Sequence, residues 1–322
     1  MNKQYIAKGF GILLGLLFLC APVLAQEYRI DLIRGNIYRM SAGNPVLAQE
    51  YRIDQIRDNI YRLTAGNYCS VFMVTEAGIV VTDPINKAAA TWLKRELAQR
   101  FGKPIRYVIY SHNHPDHTYG GEVFDGVGID FISHQLARED LIHTKAQTRI
   151  PNLVFKDDMT LLIGDSRVHL RYHGTNNGRG SISMLFEPAS VLYVVDWIVL
   201  GRMPYKDLQG YDIQGMIDST RAVLNMDFEV FVGGHAKAGQ KKDVRRYLEY
   251  LETLYDAVRD GILAGQDLPT LQKEIRLDTY RDLAMYEEWL PLNIKGVYRT
   301  LVDESYLLMR PLSARPTNSS KG

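Results

Sequence analysis

Ser111-His112-Asn113-His114-Pro115-Asp116-His117-Thr118-Tyr119-Gly120-Gly121 is the stretch from which the fold is read. It places three histidines and an aspartate within six residues, directly after Arg106 to Tyr110 (Arg-Tyr-Val-Ile-Tyr), which reads as a short buried strand. Loops at the ends of strands are where a rigid scaffold presents chemistry. Imidazole and carboxylate together suit a borderline cation such as zinc. In an extended loop, alternate side chains point in opposite directions, so a cluster this dense cannot send every group to one ion. The stretch therefore predicts two adjacent metal sites.

Working outward, Tyr68 to Pro84 reads as a hairpin around Thr75-Glu-Ala-Gly78, and Asn86 to Phe101 as a helix stopped by Gly102. Ile129 to Ser133 is a predicted strand and His134 to Lys145 a helix. Met159–Ile163 with Arg167–Tyr172, and Ser181–Phe186 with Val191–Val195, are predicted hairpins. A helix is predicted over Tyr211 to Leu224, a strand over Phe228 to Val232, and amphipathic helices over Lys241 to Ala264 and Arg281 to Val302. The C-terminal helices, with Tyr286-Glu-Glu-Trp289, either cover the core or contact a partner. Two of the strands end on further ligand types: Val191-Leu-Tyr-Val-Val closes on Asp196, and Phe231-Val-Gly-Gly closes on His235.

The pattern His112-x-His114-x-Asp116-His117 resembles the signature of the metallo-beta-lactamase superfamily. The resemblance implies an α/β fold, a four-layer αβ/βα sandwich, and strands in two groups with flanking helices agree with that. It also implies that Asp196 is the bridging aspartate and that Asp116, His117 and His235 form the second metal site. The departure lies in Tyr172-His-Gly-Thr-Asn-Asn-Gly-Arg-Gly-Ser181, where the family offers a histidine in a Gly-x-x-His-Thr loop. Here that place falls to Asn177 or to Asn176, and an amide oxygen is a weaker zinc ligand than imidazole. The first site, left with His112 and His114, is expected to bind metal weakly or not at all, giving about one zinc per chain. His173 could restore that site in another register, but its place at a strand end favours a structural role. His134, His143 and His169 have no ligand neighbours in sequence and read as structural.

The N-terminus carries Lys3 and Lys8, an apolar run from Phe10 to Leu19, and Val23-Leu-Ala25 before Gln26. That is the pattern of a secretory signal over residues 1–25, with an apolar core too short for a comfortable membrane span. Cys20 does not make it a lipoprotein signal, because Leu19 stands where a small residue is usual. The chain is thus expected to be periplasmic or secreted, with no stable membrane anchor. Cleavage after Ala25 removes Cys20, Lys3 and Lys8, leaving 36 of the 38 basic residues against 37 acidic ones and Cys69 as the lone thiol. Cys69 sits in an apolar run and reads as core, and the near-neutral charge offers no footprint for nucleic acid. Pro22–Asn44 recurs as Pro45–Asn67, changed at Leu32/Gln55, Gly35/Asp58, Met40/Leu63 and Ser41/Thr64. The second copy, from Tyr51 to Leu63, is read as the structural one, and the first as a surface extension or an extra edge hairpin. The expected organisation is a duplicated segment over 26–44, one domain over 45–310 and a flexible tail over 311–322, with the oligomeric state open.

Zinc in such a site lowers the pKa of bound water and polarises a carbonyl. With a single metal, His112 or His114 could serve as general base, and Asn177, Tyr119 or Arg179 could donate to a developing oxyanion. Lys237 is either a ligand for a substrate carboxylate or an exposed loop lysine. The leading expectation is a zinc-dependent hydrolase of a small-molecule ester, lactone, thioester or amide, a β-lactam among them. A mononuclear iron oxidoreductase using the first site is the second reading, disfavoured by the missing histidine, and a binding protein without catalysis is the third.

Overall fold

The computed structural model describes residues 51–309 and, before them, the strands 28–34 and 37–42. The signal read over 1–25, the tail read over 311–322 and the domain limits at 45 and 310 lie outside the described residues. Strands β1 (Tyr28–Arg34) and β2 (Ile37–Ala42) pair antiparallel, with Tyr28 opposite Ala42. The second sequence copy repeats that register in β3 (Tyr51–Arg57) and β4 (Ile60–Ala65), with Tyr51 opposite Ala65. Each copy therefore forms a pair of antiparallel strands. Asp58 replaces Gly35 at the turn and adopts a φ of 47°, a left-handed conformation that Asp tolerates better than most residues.

A seven-stranded sheet runs in chain order from β3 and β4 through β5 (Tyr68–Thr75), β6 (Gly78–Thr82), β7 (Ile105–Ile109), β8 (Asp130–His134) and β9 (Leu153–Phe155). The neighbours from β3 to β6 are antiparallel and those from β6 to β9 parallel. Parallel pairing needs crossovers. These contain α1 (Lys87–Arg100), the single turn α2 (Pro115–Thr118) and α3 (Gln135–His143). A six-stranded sheet, also in chain order, comprises β10 (Asp158–Ile163), β11 (Ser166–Tyr172), β12 (Ile182–Glu187), β13 (Val191–Val194), β14 (Val230–Gly233) and β15 (Gly239–Gln240). Only β13 and β14 are parallel in it, and α4 (Ile213–Leu224) makes that crossover. Helices α5 (Lys241–Leu263), α6 (Leu268–Glu274) and α7 (Tyr286–Arg299) complete the chain.

Strict alternation along the central strands builds the four layers. Val71, Met73, Val80 and Ile109 share one cluster with Val168, Met184, Phe186 and Tyr193, so these side chains fill the space between the sheets. Phe72, Val81 and Val108 pack with Ala89, Leu93 and Leu97 of α1 on the outer face of the first sheet. Leu192, Val194 and Phe231 pack with Met216, Leu251 and Ile294 of α4, α5 and α7 on the outer face of the second. Strands buried on both faces read as continuous apolar runs, as β6 and β13 do. Trp289 belongs to this outer cluster, so the Tyr286–Trp289 segment covers the core. No helix among the described residues is long and apolar enough to cross a membrane.

Two expectations change. The last helix starts at Tyr286 rather than at Arg281, because residues 278–280 form a separate short turn and Met285, with φ 68°, is the residue that leads into the helix. The loop after β7 is not extended throughout, since Pro115 fixes a first helical φ and Pro115–Thr118 closes one turn.

Candidate metal centre

The carboxyl ends of β6, β7, β13 and β14 meet on one edge of the sandwich, where ligands of open α/β sheets bind. Cross-sheet hydrogen bonds fix this edge. Cys69 N–H donates to Gly234 O at 2.8 Å, and Ile182 N–H donates to Ser111 O at 3.0 Å. Gly234 has no room for a side chain, as a Cβ there would lie 2.5 Å from Val195 Cγ1 and 2.9 Å from His117 Cε1.

Asp196 sits at the centre, held at φ 69° so that its side chain turns back over the strand ends. Its oxygens are divided between two histidine groups. Oδ2 lies 3.1 Å from His112 Nε2 and 3.2 Å from His114 Nδ1. Oδ1 lies 3.0 Å from His235 Nε2 and 3.5 Å from His117 Nε2. Asp116 Oδ2 stands 3.7 Å from His117 Nε2 and 3.9 Å from His235 Nε2. The two groupings, His112/His114/Asp196 and Asp116/His117/His235, each bring their ligand atoms within 4.8 Å of one another. The six sequence-predicted ligands thus converge in the two sets expected. They divide by local backbone rather than by simple alternation, because Asp116 and His117 share the α2 turn.

These donors fit a borderline cation. His112 Nε2 and Asp196 Oδ1 are buried with no hydrogen-bond partner among the described residues, a condition a bound ion relieves. His235 Nδ1–H donates to Asn67 O at 3.0 Å, which leaves a lone pair on Nε2. That lone pair faces His117 Nε2 at 3.2 Å. With Nδ1–H of His112 donated to Ser111 Oγ at 2.8 Å, His112 Nε2 is likewise ligand-competent. Burial pushes His112 down to about 4. Burial opposes ionisation of His117 and Asp196 as well, but their mutual attraction prevails, lifting His117 well above its ordinary value and holding Asp196 well below the carboxylate range.

Of the two asparagines weighed for the histidine's place, Asn177 is the one that reaches the centre. Its Nδ2 donates to Asp196 Oδ2 at 3.3 Å and its Oδ1 accepts from Ser181 Oγ at 2.9 Å. Because a carboxylate only accepts, the amide must turn its N–H towards Asp196, so its oxygen is directed away from the histidines. Asn176 is turned elsewhere: its Oδ1 accepts from Asn177 N–H and its Nδ2 donates to Ser219 Oγ. His173 is not a ligand, since its Nε2 bonds Ser183 Oγ at 2.7 Å and its ring lies edge-on to Trp197. His134 caps α3 through Nδ1 and reaches Lys156 O through Nε2. His169 bonds Glu187 and Thr160 on the sheet surface, and His143 ends α3.

The remaining predicted residues separate. Tyr119 lines a cavity of about 230 Å³ with Tyr68, Ile85, Asn86, Pro115 and Asp116. Arg179 is paired with Asp140 of α3 at 2.6 Å. The carbon chain of Lys237 lies against Gly201. Sequence reading missed Asp83. Its Oδ1 accepts Ser111 N–H at 2.7 Å, and its Oδ2 accepts Tyr193 Oη–H at 2.9 Å while facing His117 Nδ1 at 3.5 Å. The signal was present, because Asp83 closes an apolar strand as Asp196 does. Tyr68, whose ring lies 5.2 Å from that of His235, was missed too.

His173 yields a pH prediction. Burial, aided by Arg171, lowers it to about 4, so between pH 6.5 and about 4 the unfolded chain binds the extra proton. Stability is lost as pH falls through that window, by on the order of 3 kcal/mol at about 1.4 kcal/mol per pH unit. Denaturant titrations should show the stability advantage of the wild type over His173→Gln shrinking from pH 6.5 to 4.5. A constant difference would contradict the assignment.

Comparison with known proteins follows the same outline. The family model described as "Metallo-beta-lactamase superfamily" matches residues 66–235. The α subunit of a 2,4-dinitroanisole O-demethylase from Nocardioides sp. (strain JS1661) is 23% identical over 197 residues, which are 60% of this chain and 60% of that protein. A metallo-beta-lactamase structure from Pontibacter korlensis superposes with a TM-score of 0.57 at 16% identity, covering 63% of this chain and 99% of that one. This last likeness concerns the fold.

Proposed function

The chain belongs to the metallo-beta-lactamase superfamily, whose match spans all six ligand positions, and from this premise we propose that it is a zinc-dependent hydrolase acting on a small molecule outside the cytoplasm. The observation that carries the reading is the division of the Asp196 oxygens between two histidine groups, which suits a carboxylate bridging two cation positions. Asp116, His117, His235 and Asp196 would hold the stronger ion, with His112 and His114 at the weaker position. Zinc there supplies Lewis acidity, bringing the pKa of a bound water down to about 7.

The chain's own residues do the rest. Asp116, with 41% of its side chain exposed, borders the cavity of Tyr68 and Tyr119, so substrate approaches from that side. Those two rings form apolar walls that favour a planar group. His114 is one-third exposed whereas His112 is sealed off, so of the two His114 is the one open to solvent. Asn177 Nδ2 orients the bridging carboxylate. The bond cleaved is that of an ester, lactone, thioester or amide, with a β-lactam included. The name of the Nocardioides relative adds an aryl methyl ether.

A panel of those substrates, run in H₂¹⁸O with metal analysis of the purified chain, tests the reading. Zinc in the protein and one ¹⁸O from water in the product are the expected result. Iron with oxygen consumption, or no turnover of any member, would overturn it.

A further inference from the structure

Most described arginines end on a carboxylate or a carbonyl: Arg246 on Asp282, Arg299 on Asp207, Arg221 on Glu252, Arg138 on Pro151 O. Arg202 ends on neither. Its guanidinium is stacked on the Trp289 ring at 5.2 Å, and its Nε is buried without a hydrogen-bond partner among the described residues. A buried donor left unsatisfied is costly, the more so when charged. Stacking fixes the plane of the fork while leaving it free to bind.

Arg202 stands beside the metal centre on two counts. Burial is what chiefly raises Tyr211 and Tyr247, and both also feel the opposed charges of Asp196 and Arg202. The adjoining Gly201 carries the side chain of Lys237, two residues past His235. Tyr205, in the same loop, packs edge-on to Trp289, carries Lys206 over its ring at 5.0 Å and lies in the electrostatic neighbourhood of Tyr68. The Asp282 carboxyl is held down first by the Arg246 hydrogen bond, with the Lys237 charge as a lesser contribution.

We propose that Arg202 is an anion-recognition residue at the entrance to the metal centre, and that the molecule this site takes carries a carboxylate or similar planar oxyanion. The proposal deepens the hydrolase reading and rests on it for calling that molecule a substrate. The carboxylate-binding role weighed for Lys237 from sequence is given in this proposal to Arg202, whose fork can meet two oxygens at once.

The test is calorimetric titration of the full chain, with the metal it carries when purified, using benzoate and its neutral isostere benzamide. The wild type should prefer benzoate. Arg202→Met should weaken benzoate by about tenfold or more, the loss expected for a charge-assisted pair, with benzamide binding and metal content unchanged. Arg202→Lys, which keeps the charge and loses the fork, should lose part of it and decides the matter if the methionine variant does not fold. Benzoate affinity unchanged in both variants, or no preference for benzoate in the wild type, would overturn the proposal. A failed substrate panel with the arginine dependence intact would remove the hydrolase reading and leave the anion site standing.

Discussion

Asp196→Ala is expected to strip metal from both halves of the centre and to lower turnover by at least about a thousandfold, several kcal/mol of transition-state stabilisation. Oδ1 faces His117 and His235, and Oδ2 faces His112 and His114. One truncation therefore removes a donor from each half and leaves Asp116, beside His117 and His235, as the remaining carboxylate of the six ligands. The backbone adds to the effect, because φ is 69° here and alanine is strained there more than aspartate. Asp196→Asn keeps the shape and separates the two causes. Metal analysis after dialysis, with circular dichroism to confirm the fold, reads the result. Metal retained by folded Asp196→Ala would contradict the bridging role.

The second large effect is expected at Asp83. Asp83→Ala strands the Ser111 N–H and loosens Tyr193, both fully buried, and should cost about 3–5 kcal/mol in a denaturant titration. Asp83→Asn should behave differently. The amide oxygen would stay with Ser111 N–H, so its NH₂ group would face His117 Nδ1, now 3.5 Å from Asp83 Oδ2. That nitrogen would have to accept, moving the ring proton to Nε2, the atom that faces His235 and Asp116. The variant should fold and lose about 10- to 100-fold in metal affinity, the usual effect of removing a partner that orients a ligand. Unaltered metal binding in Asp83→Asn would show that His117 is oriented by other contacts.

Much of this architecture was legible because its signals are local. Asn86 and Gly102 bracket α1, and α1 runs from Lys87 to Arg100 with Asn86 accepting from Ala89 N–H. Asp196 and His235 each close an apolar run, and each arrives at the centre. What escaped depends on pairing that no spacing records. Leu153–Phe155 is too short to show alternation, yet it forms the seventh strand through parallel bonds to β8. Pro115 turns part of the histidine loop helical. That Asn177 rather than Asn176 reaches Asp196 is a contact across 19 residues that no spacing records. Arg202 carries no motif at all. It stands out by a guanidinium stacked on Trp289 and a buried Nε with no partner among the described residues, which only the assembled structure reveals.

We expect the two halves of the centre to be unequal. One half is complete, while the other faces an amide that turns its N–H towards Asp196 and its oxygen towards Ser181. Zinc stoichiometry and affinity, measured by competition with a chromophoric chelator on the wild type and on Asn177→His, test this most directly. The account predicts about one tightly held zinc per wild-type chain and about two in Asn177→His, since imidazole is the stronger zinc ligand. Two equally tight zinc ions in the wild type would contradict it.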